Sequence, residues 1–96
     1  MSDILNQAMK ALNIKLDENG FDGIAKFSIT GEGSVIMDSN GARISDAEAD
    51  VTLSASAEVF QEIMEGSQNP TRAFMTGKLT IDGDMGMAIK LAGKLS

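Results

Sequence analysis

Residues 69–95 constrain this chain more tightly than any other stretch. Asn69-Pro70 starts a helix: the Asn side chain caps it, and Pro at the first helical position gives up an N–H that a helix start leaves unpaired anyway. Gly77 suits the stop, because glycine enters φ > 0 without steric cost. From Lys78 to Asp82 polar and apolar residues alternate, so Leu79 and Ile81 face one way and Thr80 and Asp82 the other. Gly83 turns the chain, and Asp84 caps a last helix. In that helix Met85, Ala88, Ile89 and Ala92 form one apolar strip and Met87, Leu91 and Leu95 a second, with Lys90 and Lys94 as the polar edge. A helix apolar on two sides needs two apolar neighbours. One is a sheet; the second is open between another helix, a partner protein and a bound apolar ligand. Gly86 and Gly93 each cost about 1 kcal/mol relative to Ala inside a helix. Two explanations stand side by side: close helix–sheet packing, or a helix thinned so that a ligand or channel passes beside it.

The rest of the chain supplies the sheet. Asp3–Leu16 has apolar residues at three- and four-residue spacings (Ile4, Leu5, Ala8, Met9, Leu12, Leu16), which predicts an amphipathic helix capped at Ser2 or Asp3 and broken at Asp17-Glu18-Asn19-Gly20. Gly23–Thr30 alternates as a strand, with Ala25, Phe27 and Ile29 on one face. Gly31-Glu32-Gly33 turns it into an antiparallel strand, Ser34–Asp38, with Val35 and Met37 inward. Asn40-Gly41 is a hairpin signal leading to a short strand at Ala42–Ser45. Glu48–Ala55 alternates cleanly and predicts a half-buried strand in an antiparallel sheet wet on one side. Ser56 caps a helix over Ala57–Glu65 with Val59, Phe60, Ile63 and Met64 apolar, and Gly66 ends it. The layout is α+β: about five short strands, mostly antiparallel, with helices covering one face, in a single domain spanning the 96 residues.

Composition removes function classes. The chain has no His, Cys, Tyr or Trp, so Ser-His-Asp and Cys-His nucleophile systems and His- or thiolate-bound zinc are absent, and no metal or cofactor is expected. A net charge of −6 argues against nucleic-acid binding and against an electrostatic hold on anionic lipid. No run reaches the roughly 18–20 apolar residues of a membrane span, and Met1-Ser2-Asp3-Ile4 lacks a basic leader, which leaves the cytoplasm as the expected location. Asp46, Glu48 and Asp50 fail the Ca²⁺-loop template and read as a solvated face that discourages aggregation; Asp17-Glu18-Asn19 and Asp22 fail it too. Gly31-Glu32-Gly33 and Gly83-Asp84-Met85-Gly86 are neither a dinucleotide fingerprint nor a P-loop. Six internal Met (Met9, Met37, Met64, Met75, Met85, Met87), five of them at inward or near-inward positions, point to a pliable interior.

Asn69, Pro70, Ala73, Phe74, Gly77, Lys78, Leu79, Ile81, Gly83, Asp84, Met85, Gly86, Ala88, Lys90 and Leu91 have the order and spacing of the C-terminal signature of the sterol carrier protein 2 domain, and the chain resembles that family. Looser similarity upstream, at Gly23-Ile24, Ala49–Leu53 and Phe60–Gly66, extends the resemblance over the chain beyond its first helix. It implies a hydrophobic cavity or tunnel between sheet and helices that takes fatty acids, acyl-CoAs, sterols or phospholipids, and no catalysis by the domain. Leu5, Phe60, Met64, Phe74, Met85, Met87, Ile89 and Leu91 are the expected lipid-binding wall. Lys90 and Lys94 admit two roles, solvated lysines at a helix C-terminus or partners for a carboxylate or phosphate at the mouth. The expected partner is a lipid or fatty acyl ligand, with transient membrane contact, in a monomer or weak dimer. The chain stops at Leu95-Ser96 without the tail and peroxisomal tripeptide of many eukaryotic members, and its lack of Trp makes the wall more aliphatic. A compact, bacterial-like stand-alone form is the resulting expectation. The alternative is an interaction or dimerisation module built on the apolar C-terminal helix; an enzyme relying on carboxylates and Lys ranks third.

Overall fold

In a computed structural model, which describes residues 3–16 and 20–95, the chain runs α1 (Asp3–Leu16), β1 (Ala25–Ile29), β2 (Gly33–Asp38), β3 (Gly41–Ile44), β4 (Val51–Ala55), α2 (Ala57–Glu65), α3 (Pro70–Met75), β5 (Leu79–Gly83) and α4 (Met85–Leu95). The cap expected at Ser2 and the break at Asp17-Glu18-Asn19 lie outside the described residues. The other helix ends follow local chemistry. The Ser56 hydroxyl accepts from the Val59 N–H at 3.2 Å. Gly66 takes φ 86° and donates to the Glu62 and Ile63 carbonyls. The Asn69 side chain accepts from the N–H groups of Thr71 (2.8 Å) and Arg72 (3.2 Å), and Pro70 follows as the first helical residue. The Asp84 carboxylate accepts from the Met87 N–H at 3.1 Å. Each bond satisfies an N–H or C=O that a helix terminus otherwise leaves unpaired.

The five strands form one sheet in the order β3-β2-β1-β4-β5. Three pairings are antiparallel, and β1 with β4 is parallel. The sheet is therefore mixed, and the alternation at Glu48–Ala55 overstates its strand, which begins at Val51. The reason is topological. The chain leaves β3 at one edge and must pass β2 and β1 before it can pair with β1 from the far side, so residues 45–50 are spent on that crossover. Asp50 ends it: its N–H donates to the Ile24 carbonyl at 2.9 Å, its carboxylate accepts from the Ile24 N–H at 3.3 Å, and its carbonyl accepts from the Asp84 N–H at 3.1 Å. Asp46, Glu48 and Asp50 thus do not share a strand face. Asp46 instead pairs with Lys26 at 3.2 Å.

All the inward alternation points to one side. Ala25, Phe27, Ile29, Val35, Met37, Val51, Leu53, Ala55 and Leu79 join Ala8, Leu12, Leu16, Phe60, Ile63, Ala73, Ala88, Leu91 and Leu95 from the helices in one buried cluster. Phe27 and Phe60 meet edge to face at its centre, with ring centroids 4.6 Å apart. The opposite side carries Lys26, Ser28, Thr52 and Ser54, half-buried. Ile36 is buried there too; its cross-strand neighbour Lys26 reaches Asp46 in the crossover.

The β2–β3 hairpin carries a short ion pair, Arg43 Nη1 to Asp38 Oδ2 at 2.7 Å, and Asp38 also accepts from the Asn40 N–H at 2.9 Å. The Arg43 hydrogen bond, then the Asn40 N–H, hold the Asp38 carboxyl below its ordinary value of 3.8. A depressed carboxylate stabilises the fold above its unfolded pKa, and that stabilisation fades as pH falls through the folded value. We expect Asp38→Asn to flatten part of the stability loss below about pH 4, read as urea midpoints across an acid series.

Candidate functional site: two apolar clefts under the helices

Two apolar clefts open at the helices, one between two helices and one between helices and sheet, and a third hollow, about 550 Å³ and open to solvent, lies on α3 along Asn69, Thr71, Arg72, Met75 and Thr76. The first, about 130 Å³, lies between α1 and α2 and is lined by Ile4, Ala8, Ala11, Phe60 and Met64, with Gln7, Gln61 and Glu65 on its wall. The second, about 50 Å³, lies among α3, β5 and α4 and is lined by Leu53, Pro70, Phe74, Leu79, Ile81, Met85, Ala88, Ile89 and Ala92, with Thr71 as its one polar residue. Phe27 lies between them: Phe60, in the first wall, meets it edge to face, and its Cα partner on β4 is Leu53, in the second wall. Sites that bury a small molecule usually hold roughly 300–1,000 Å³. Neither cleft reaches that, so an occupant must part α1 from α2, or α4 from β5.

The expected wall residues do not converge on one cavity. Phe60 and Met64 fall in the first cleft, and Phe74, Met85 and Ile89 in the second. Leu91 is buried in the core. Leu5 packs over Gly33 at the start of β2, and Met87 reaches over Gly23 ahead of β1; both are half-buried and line neither cleft. Residues outside the expected wall also contribute. Ile4, Ala8 and Ala11 sit at i, i+4 and i+7 on α1, a spacing that marks one helix face. Ala88 and Ala92 belong to the strip already visible beside Met85 and Ile89.

The Met residues are less uniformly inward than their positions suggest. Met37 is buried, and Met9, Met64 and Met87 are half-buried, but Met85 and Met75 are exposed, Met75 at 78%. The helical glycines are not explained by close packing. A Cβ on Gly93 would meet nothing within 4 Å, and one on Gly86 would meet only the Asp84 carboxylate at 3.2 Å. Both lie on the exposed side of α4. Gly93→Ala is therefore expected to stabilise the fold by up to about 1 kcal/mol, seen as a rise of several degrees in Tm.

Among the described residues no three carboxylates cluster to hold a metal ion. Lys90 is exposed and Lys94 half-buried, in the last two turns of α4. No described helix is long and apolar enough to cross a membrane.

A single mixed sheet with four helices over one face and apolar clefts beneath them defines an α+β domain of the helix-covered, single-sheet class. The chain belongs to the SCP-2 sterol transfer family, whose sequence model matches residues 5–96. It is similar to hydroxysteroid dehydrogenase-like protein 2 of Danio rerio, 44% identical over 77 residues, which covers 72% of this chain and 19% of that protein. It is similar to sterol carrier protein 2 of Homo sapiens, 43% identical over 61 residues, 64% of this chain and 10% of that protein. The chain thus spans a fifth or less of these relatives, and the match to the first lies in its sterol-carrier portion. Its fold matches sterol carrier protein 2 of Aedes aegypti in complex with a C16 fatty acid, palmitate: TM-score 0.77, 20% identity, 100% of this chain and 97% of that one.

Proposed function

We propose that this chain binds the apolar part of a lipid, a fatty acyl chain first among the candidates, between its helices and its sheet, and passes it to and from membranes. The observation that carries the reading is the pair of apolar clefts on either side of Phe27–Phe60. Family membership and the palmitate held by the Aedes aegypti protein of the same fold support it. Each methylene withdrawn from water contributes about 0.8 kcal/mol, so ten carbons offer enough to offset parting the helices. An empty cavity of matching size costs about 24 cal/mol per Å³, which favours clefts that close when no ligand is bound. Phe74, Met85 and Ile89 are the proposed walls of one end, and Phe60 and Met64 of the other. Leu5, Met87 and Leu91 become walls only once α1 or α4 moves. A single lipid-binding domain over residues 1–96, a cytoplasmic location and a monomeric or weakly dimeric state complete the proposal, together with the absence of catalysis by the domain.

Native mass spectrometry of gently purified protein, followed by thermal unfolding with added fatty acid, tests the reading. A ligand that binds only the folded state at a hundred times its Kd stabilises by about 2.7 kcal/mol. No co-purified lipid and no shift of Tm at any fatty-acid concentration would sink it. The interaction-module alternative ranks behind: Leu91 and Leu95 of α4 are already buried against the core, and Met85 and Ile89 of the other strip edge a cleft.

A further inference from the structure

The net charge of −6 conceals a division. Residues 69–95 carry four cations, Arg72, Lys78, Lys90 and Lys94, against Asp82 and Asp84, a balance of +2; the remaining residues carry four cations against twelve carboxylates, a balance of −8. The two carboxylates are turned away or occupied. Asp82 shares its β5 face with Thr80, on the side opposite the helices, and Asp84 caps α4. None of the four cations has a salt-bridge partner among the described residues, where Lys26 and Arg43 are paired. The same elements carry the densest exposed apolar surface: Phe74, Met75, Met85 and Ile89, with Met75 at 78% and Ile89 at 68% exposure. Phe74, Met85 and Ile89 rim the second cleft. Around the first cleft the charge is reversed, since α2 contributes Glu58, Glu62 and Glu65 and no cation.

We infer that the α3–β5–α4 face docks on an anionic lipid bilayer, seating Met75, Met85 and Ile89 among the headgroups, so that the second cleft is the end through which a chain is exchanged. Exposed apolar side chains among unpaired cations match an interface whose surface is apolar below and negative above. A second copy of this face is a poorer occupant, because two-fold pairing would set its cations against themselves. The acidic α2 end would be held off the same surface. The inference rests on the lipid-binding reading and adds to it the charge of the membrane, the docking face and the end of exchange.

The test is flotation of the full chain with vesicles of phosphatidylcholine alone or mixed with phosphatidylserine, at low and high salt, beside a fatty-acid displacement assay without vesicles. Binding should require phosphatidylserine and weaken with salt. Arg72→Glu should lower partition by more than the roughly fivefold expected per cation removed. Met75→Glu should lower it as well, while both variants keep wild-type fatty-acid displacement, since neither residue lines either apolar cleft and both edge only the open hollow on α3. Ile14→Glu, at the 78% exposed apolar position on α1, should change nothing. Equal binding to neutral vesicles, loss with Ile14→Glu and not with Met75→Glu, or concentration-dependent self-association in place of vesicle binding would overturn the docking face. Fatty-acid displacement without vesicle binding removes the face alone; vesicle binding without displacement removes the lipid-cargo reading and leaves the face standing.

Discussion

Phe27→Ala is expected to cost about 3–5 kcal/mol, a fifth or more of the roughly 5–14 kcal/mol available to a chain of this size. Phe27 is fully buried at the middle of β1, flanked by Val35 and Leu53 on the neighbouring strands and edge-on to Phe60. Truncation removes the transfer free energy of the ring and its pairing with Phe60, and leaves a void that the sheet backbone cannot close. The void lies between the two clefts. A fatty acid should therefore recover more stability in this variant than in the wild type, because part of the cost of making room has already been met. Chemical denaturation with and without fatty acid reads both effects. A loss below about 1 kcal/mol would show that the aromatic pair is not the centre of the core.

Gly83→Ala is expected to lose about 3 kcal/mol, with the damage concentrated at the junction of β5 and α4. Gly83 has φ 111°, where a side chain is strained whatever the space. There is also no space: an added Cβ would overlap the Asp50 carbonyl oxygen and come within 3.0 Å of the Val51 Cα. That carbonyl accepts from the Asp84 N–H, so relieving the overlap pulls on the first residue of the α4 cap. Hydrogen exchange should accelerate in α4 more than in β1 or β2. Gly93→Ala makes the matched control, because it adds the same methyl group to the helix that Gly83 introduces and changes stability in the opposite direction.

The capped helix ends were legible in the sequence because each is fixed by chemistry within four residues: Ser56 to Val59, Glu62 to Gly66, Asn69 to Arg72, Asp84 to Met87. Strand faces were legible for the same local reason. The parallel pairing of β1 with β4 was not, since Asp50 meets Ile24 across 26 positions and nothing local distinguishes a crossover from an extended strand. The site was half legible. Both strips of α4 are equally apolar, so sequence alone could not say which one the sheet would take. Leu91 and Leu95 entered the core together with Ala88 of the other strip, and Met85 and Ile89 were left at the cleft edge. Likewise Phe60 and Phe74, both expected in the lipid-binding wall, line different clefts.

The central claim, an acyl chain held beneath the helices, is tested most directly by titrating a fluorescent fatty acid into the wild type and into Ile89→Glu, then displacing it with unlabelled fatty acid. Ile89 is exposed enough for the variant to fold, yet it edges the second cleft. A carboxylate there must be desolvated against an incoming chain. Binding in the wild type should be saturable and displaceable, with an affinity lower by about tenfold or more in Ile89→Glu. Absence of saturable binding in the wild type, or equal affinity in the two proteins, would contradict it.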